Sequence, residues 1–347
     1  MQTLTASLVI ASTLGAHGSS VPPPARLYQW AMSAGGSTRA IVAALFANLG
    51  IAIAKFVGFI VTGSASMLAE SVHSGADTTN QVLLLWGGRQ ARREPTAQHP
   101  FGFGRERYFW SFVVAVVLFA LGSVFAIFEG IDKIRHPHEL ESLAWAIGIL
   151  VFGIFLEGFS LRTAIVESAR VKGDIGWIGF IRRSRSPELP VVLLEDTGAM
   201  IGLVLALTAV LLADITGNAV FDGIGTLAIG ILLGFIAVIL AIEMKSLLVG
   251  EAAIAPDRRK IVDAIESTPS VDRIIHMRTQ HIGPEELLVA GKIHFAGRLS
   301  NEELTDAIDA AENAIRDAVP IARLIYLEPD FFEDDYVRPT GDDDDHG

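Results

Sequence analysis

Long apolar runs separated by short polar connectors dominate the chain from Arg39 to Glu243, whereas residues from Ala255 onward alternate like an ordinary soluble domain. A membrane-spanning helix needs about 20 mainly apolar residues. Six stretches reach that length: 40–62, 66–88, 109–131, 143–166, 189–213 and 219–244. Beyond them the spacing changes. Arg258 to Thr268 repeats at helical intervals, Val271 to Gln280 and Leu287 to Phe295 read as strands, and Asn301 to Val319 places Leu304, Ile308, Ala311 and Ile315 on one helical face. Ser300 is positioned to cap that helix, and Ala322 to Leu327 closes as a strand. The order αββαβ predicts an antiparallel sheet with helices on one face.

These patterns divide the chain into an N-terminal tail at 1–38, a six-helix membrane domain at 39–250, a small α+β domain at 251–330 and an acidic tail at 331–347. The first tail lacks the positive n-region of a secretory signal. Its Val21-Pro-Pro-Pro-Ala segment reads as an extended linker. Both tails are expected to be disordered.

Composition agrees with a membrane protein: 51% of the 347 residues are hydrophobic and 19% are charged, below the roughly 25% charged of a soluble domain. A formal charge of -12 argues against nucleic acid as a partner, which requires a basic face. There is no cysteine, so thiolate metal sites and disulfides are excluded. Lysine and arginine in the connectors set orientation. Arg89, Arg92, Arg93, Arg105 and Arg107 lie between spans two and three, and Arg170, Lys172, Arg182, Arg183 and Arg185 between spans four and five. The alternate connectors carry almost none. Both termini are therefore expected on the cytoplasmic side, with a bacterial inner (plasma) membrane as the expected host.

Ionisable residues inside spans cost several kcal/mol and call for a role. Span two contains Glu70, His73 and Asp77 at intervals of three and four, which puts them on one helical face. Asn80 and Gln81 extend the stripe. His73 lies nine residues past Ser64, roughly 13 Å along a helix and close to the middle of the bilayer core. Imidazole and carboxylate are both ligands of Zn2+, and no prosthetic group is implied. In span five, Asp196 lies roughly 16 Å beyond Arg185 by the same rise and can meet His73 and Asp77 at similar depth. Glu195 is adjacent but about 100° round the helix. Lys55 in span one reads as a structural partner for a carboxylate. No H-E-x-x-H motif occurs, and nothing else points to an enzyme.

Several segments together resemble the cation diffusion facilitator family, from about Ala40 to Pro329. Ala47 to Lys55 reads A-N-L-G-I-A-I-A-K, and Gly63 to Asp77 reads G-S-A-S-M-L-A-E-S-V-H-S-G-A-D. His99 to Arg107 is similar to the family's loop between spans two and three, and Phe221 to Ile224 with Glu243 to Ala252 resembles its sixth span. The resemblance implies a homodimer with a cytoplasmic ferredoxin-like domain whose main task is dimerisation. It also implies export of Zn2+, or of Mn2+, Co2+ or Fe2+, in exchange for protons. His73 and Asp77 fill the span-two ligand positions, and Asp196 fills the second of span five. The first falls on Val192, which cannot coordinate. This text, Val191 to Gly202, resembles a divergent branch that includes mitochondrial-type zinc transporters. Water, Glu70 or Glu195 is left to complete the site, with Glu70 favoured by its face. Glu157 in span four is a candidate proton carrier. A non-transporting scaffold that keeps the fold is the alternative.

The family's accessory sites are expected to be empty of metal. His99 matches one loop position, but Thr96 and Phe103 stand at the others. In the soluble domain His276 matches and Tyr326 does not, and His281 and His294 read as surface or strand residues.

Overall fold

The computed structural model describes residues 25–62, 65–137 and 143–333. The side chains of residues 25–36, 62, 65–70, 72, 73 and 76 lie outside that description. Residues 1–24 of the first predicted tail and 334–347 of the second lie outside the described residues, whereas 25–38, expected to be part of a disordered tail, belong to a helix. Met1–Gly35 is one compact unit, of which the described part is the opening turns of a helix, and Gly36–Gly347 is the other. The second unit carries the helical bundle and the C-terminal domain.

The chain forms α1 (Ala25–Thr62), α2 (Ala65–Gln90), α3 (Glu106–Arg135), α4 (Leu143–Lys172), a short α5 (Trp177–Arg183), α6 (Glu188–Thr216) and α7 (Val220–Val249). Helices are what an apolar run must form in lipid, where no water satisfies backbone N–H and C=O groups. Among the described residues five helices are long and apolar enough to cross a membrane: α1 from Ser37, α3, α4, α6 and α7. The sixth expected span, α2, has 26 residues, about 39 Å at helical rise. Its sequence carries the polar stripe from Glu70 to Gln81.

Helix α3 packs on α7 and α2, α4 packs on α6, and α6 packs on α7. Small residues make these crossings possible, as is usual where lipid supplies no hydrophobic drive between helices. A Cβ on Gly130 of α3 would lie 2.5 Å from the Leu227 backbone nitrogen of α7, and one on Gly230 would lie 2.8 Å from the Ile127 nitrogen. Glycine is obligatory at both points. Just before these contacts α3 departs from the expected regular helix. Leu118–Val124 is a π-helical segment, a local insertion that changes which side chains face a neighbour. Its Ser123 donates to the Gly230 carbonyl of α7 at 2.8 Å.

The C-terminal domain comprises α8 (Ala255–Glu266), β1 (Val271–Gly283), β2 (Glu286–Phe295), α9 (Asn301–Ala318) and β3 (Ala322–Pro329). Strand order is β1-β2-β3, with β1 antiparallel and β3 parallel to β2. The all-antiparallel expectation is thus corrected to a mixed sheet. A helix between β2 and β3 returns the chain to the end where β2 began, so the next neighbouring strand runs the same way. Alternation along β2 buries Leu287, Val289, Ile293 and Phe295 beneath Ile261 and Ile265 of α8 and Ala311 and Ile315 of α9. The predicted Ser300 cap is present as a reciprocal capping box with Glu303.

Candidate metal-translocation site

Polar side chains from α2, α4 and α6 meet inside the bundle. Asn80 and Gln81 of α2, Ser160 of α4 and Asp196 of α6 are at most 1% exposed, Glu157 of α4 is 2% exposed, and Glu195 of α6 is 6% exposed. The two acidic residues of α6 turn to different neighbours, as the 100° between consecutive positions requires. Glu195 faces α2, where Asn80 Nδ2 donates to its Oε1 at 3.2 Å. Asp196 faces α4, where Ser160 Oγ donates to its Oδ2 at 2.6 Å. Glu157 lies one turn before Ser160, within electrostatic range of Asp196, Glu195, Asp77 and Lys55. Asp77, half-buried on α2, is within range of Glu195.

Hydrogen-bonding capacity is left over. Among the described residues Glu157 Oε2, Glu195 Oε2 and Asn80 Oδ1 are buried with no hydrogen-bond partner, while the Gln81 amide lies against Glu195. Each such orphan costs roughly 1–3 kcal/mol while it stays unmet, and these atoms lie on three neighbouring helices. No three His, Asp or Glu groups converge on one point among the described residues. The side chains of Glu70 and His73 lie outside those residues, so the structure tests neither.

Val192 is fully buried in the apolar core with Leu84 and Ile236. Sequence spacing favoured Glu70 over Glu195 because Glu195 had only adjacency to recommend it. The hydrogen bond from Asn80 adds a second reason, since it turns Glu195 toward the polar face of α2. Ser160 was missed. Its signal was available, three residues after Glu157 and therefore on the same face of α4.

A second polar cluster, also missed, joins the bundle to the C-terminal domain. Arg107, at the start of α3, makes a two-pronged contact with Glu188 at the start of α6, with Nη2 to Oε2 at 2.8 Å. Its Nη1 lies 3.6 Å from Glu285 in the turn between β1 and β2. Beside it Gly104 packs against Gly283, so closely that a Cβ would lie 2.9 Å from the Gly283 Cα. Arg185 pairs with Glu251. Next to this pair is His281, which is 2% exposed rather than a surface residue. Burial, with the nearby Arg185 charge, pushes its imidazole down to about 4.

Three other described histidines have neighbours of their own. His99 stacks on Phe103 with ring centroids 4.6 Å apart, and its Nδ1 lies 3.5 Å from Thr96 Oγ1. His294 Nδ1 lies 3.1 Å from the Asp330 carbonyl. His276 borders an open sheet-face cavity of about 350 Å³ with Arg278, Lys292 and Tyr326.

Comparison with known proteins gives this arrangement a context. A family model for the cation efflux transmembrane domain matches residues 41–249. The chain is 36% identical over 268 residues to the mitochondrial proton-coupled zinc antiporter SLC30A9 of Xenopus laevis, covering 76% of this chain and 48% of that protein. It is 35% identical over 248 residues to the human protein of the same name, covering 71% of this chain and 44% of the relative. Metal tolerance protein C4 of Arabidopsis thaliana is 34% identical over 269 residues, covering 76% of this chain and 58% of that protein. The chain thus spans about half the length of these relatives.

Proposed function

We propose that this chain, which belongs to the cation efflux family, moves a divalent transition-metal cation, Zn2+ by first choice, across its membrane in exchange for protons. The observation that carries this reading is the cluster of buried carboxylates on α4 and α6 with unpartnered oxygens, set against the polar face of α2. Soluble enzymes and scaffolds have no need to bury such groups in a helical bundle, whereas a pathway for a cation does. The relatives' printed names, proton-coupled zinc antiporter among them, support the same cargo and coupling.

The ligands in this reading are His73 and Asp77 from α2 and Asp196 and Glu195 from α6. Glu195 takes the place that Val192 cannot fill, and Glu70 is the competing choice. Asn80 and Ser160 orient the two α6 carboxylates, as outer partners commonly do around metal sites. Binding requires deprotonated ligands, so a metal ion arriving on one side releases protons. Alternating exposure of the site then allows protonation of His73 and the carboxylates to discharge the ion on the other side. Glu157 supplies a further buried carboxylate for the proton path.

The basic connectors support an orientation with the C-terminal domain and both termini on the positive side of the membrane. A homodimer joined through the C-terminal domain is the expected assembly. The relatives carry mitochondrial names, so they lend no support to a bacterial plasma membrane as the host. Val192, packed in apolar core, favours the one competing reading, a scaffold that has kept the fold without transport.

Flux into proteoliposomes under an imposed pH gradient separates the two. The transporter reading expects Zn2+ uptake that follows the gradient and exceeds that of Mn2+, Co2+ and Fe2+, and that disappears in His73→Ala/Asp77→Ala. No flux of any of these metals would establish the scaffold. Unchanged flux in the double variant would show that the site lies elsewhere.

A further inference from the structure

Helices α1 and α4 touch deep in the bundle, and a groove lies between them on the side bearing the basic connectors. At the narrow end a Cβ on Gly50 would lie 2.9 Å from Leu156 Cδ1, and Gly153 faces Ile51. Outward from this contact the helices leave a groove of about 550 Å³, within the roughly 300–1,000 Å³ of small-molecule sites. Its inner walls are Val42, Ala43, Phe46, Leu156 and Phe159. Phe46 and Phe159 are both more than 60% exposed, so the groove opens to lipid rather than to the interior.

The mouth is different in character. Arg39 lines it, and Arg170 lies seven residues beyond the lining Thr163, on the same stripe of α4. Both arginines are directed at a single acid: Arg39 lies 3.9 Å and Arg170 2.8 Å from Glu167 Oε1. Glu167 has only 9% of its side chain exposed, against 72% for Arg39 and 55% for Arg170. Two exposed guanidinium groups share one buried carboxylate, which leaves a net positive charge facing the headgroup layer. Arg162, exposed one step round α4 toward lipid, makes no ion pair among the described residues.

We propose that this groove is a binding site for one anionic phospholipid, with an acyl chain between Phe46 and Phe159 and the phosphate at Arg39 and Arg170. The occupant follows from charge and depth: an apolar slot that opens to lipid, ending in a net cation at headgroup level, matches an anionic lipid better than a zwitterionic one. The site is separate from the metal site, and its test does not depend on transport.

Native mass spectrometry of the full-length detergent-purified protein, equilibrated with equal amounts of phosphatidylglycerol and phosphatidylcholine, reads the preference directly. One net charge near the surface predicts about a fivefold excess of bound phosphatidylglycerol, the equivalent of roughly 1 kcal/mol. Arg39→Gln/Arg170→Gln is expected to abolish that excess and Arg39→Lys/Arg170→Lys to retain most of it. Ala43→Trp is expected to reduce binding of both lipids by filling the groove. Thermal melting of each variant identifies any that fails to fold, and the lysine pair and Ala43→Trp then carry the result. Equal retention of the two lipids by the unsubstituted protein would overturn the proposal. So would a preference that persists in the glutamine pair, or lipid binding unaffected by Ala43→Trp. A change confined to oligomeric state would instead assign the groove to a contact between copies and would also overturn it.

Discussion

Two groups of buried or half-buried acids sit in this molecule and are treated in opposite ways. At the junction with the C-terminal domain, Glu188 faces Arg107 and Glu251 faces Arg185, so each carboxylate has a guanidinium against it. Within the bundle, Glu195 and Asp196 receive hydrogen bonds from the neutral groups of Asn80 and Ser160, and one oxygen each of Glu195 and Glu157 is left without a partner. A permanent cation neutralises the first group and makes it a fastening. Neutral donors orient Glu195 and Asp196, and Lys55 lies within electrostatic range of Glu157. Under the proposed function, this second group is the one left available to a transported cation.

The contrast breaks most sharply at the acids within the bundle. Asp77→Ala or Glu195→Ala is expected to lower Zn2+ flux in proteoliposomes by more than about 100-fold, beyond the 10–100-fold typical of outer partners, with little loss of folded protein. Full activity in Glu195→Ala would return the fourth ligand to Glu70. At the junction the expected effect is on stability. Arg107→Ala leaves Glu188 buried without its counter-charge and should cost about 3–5 kcal/mol, read as a lowered melting temperature of the detergent-solubilised protein. Removing the partly exposed Glu285 should cost under about 1 kcal/mol, so an equal effect of Glu285→Gln would contradict the assignment of Glu188 as the main partner.

Smaller effects sharpen the picture. Asn80→Ala and Ser160→Ala are each expected to reduce flux about tenfold, at the low end of the outer-partner range, because the carboxylates remain but lose their orientation. At His281 the prediction concerns pH. Its folded imidazole titrates near 4 against about 6.5 when unfolded. The unfolded chain therefore binds the extra proton between those values, and stability falls as pH drops from about 6.5 toward 4. Melting curves over that range should show a shallower slope in His281→Phe. An unchanged slope would mean that other groups set the acid sensitivity of this junction.

Much of the architecture was legible because lipid leaves few solutions. Apolar runs of more than 20 residues become helices, and most of their ends fell within about six residues of the expected positions, the exception being α1, which begins at Ala25 rather than 40. The Ser300 cap was equally readable, since a capping box is a local interaction. The neighbour that β3 chooses, and with it the direction of β3 in the sheet, was not read from the strand pattern, although the helix before it allows a parallel partner. Strand patterns report which faces are buried but say nothing about the end from which a strand enters the sheet. The π-helical segment at Leu118–Val124 was also invisible, because it answers to the contact of Ser123 with Gly230 on another helix.

For the site, the same division holds with finer grain. Sequence alone identified the membrane class and the buried acidic positions Glu157, Glu195 and Asp196. Interval counting along single helices suffices for that, because the cost of burying charge makes each such residue conspicuous. Only the packed bundle decided which helix each acid addresses: Glu195 toward Asn80 on α2 and Asp196 toward Ser160 on α4. Helical spacing gives the angle between two side chains on one helix. The rotation of that helix against its neighbours is set by the glycines and side chains at its crossings.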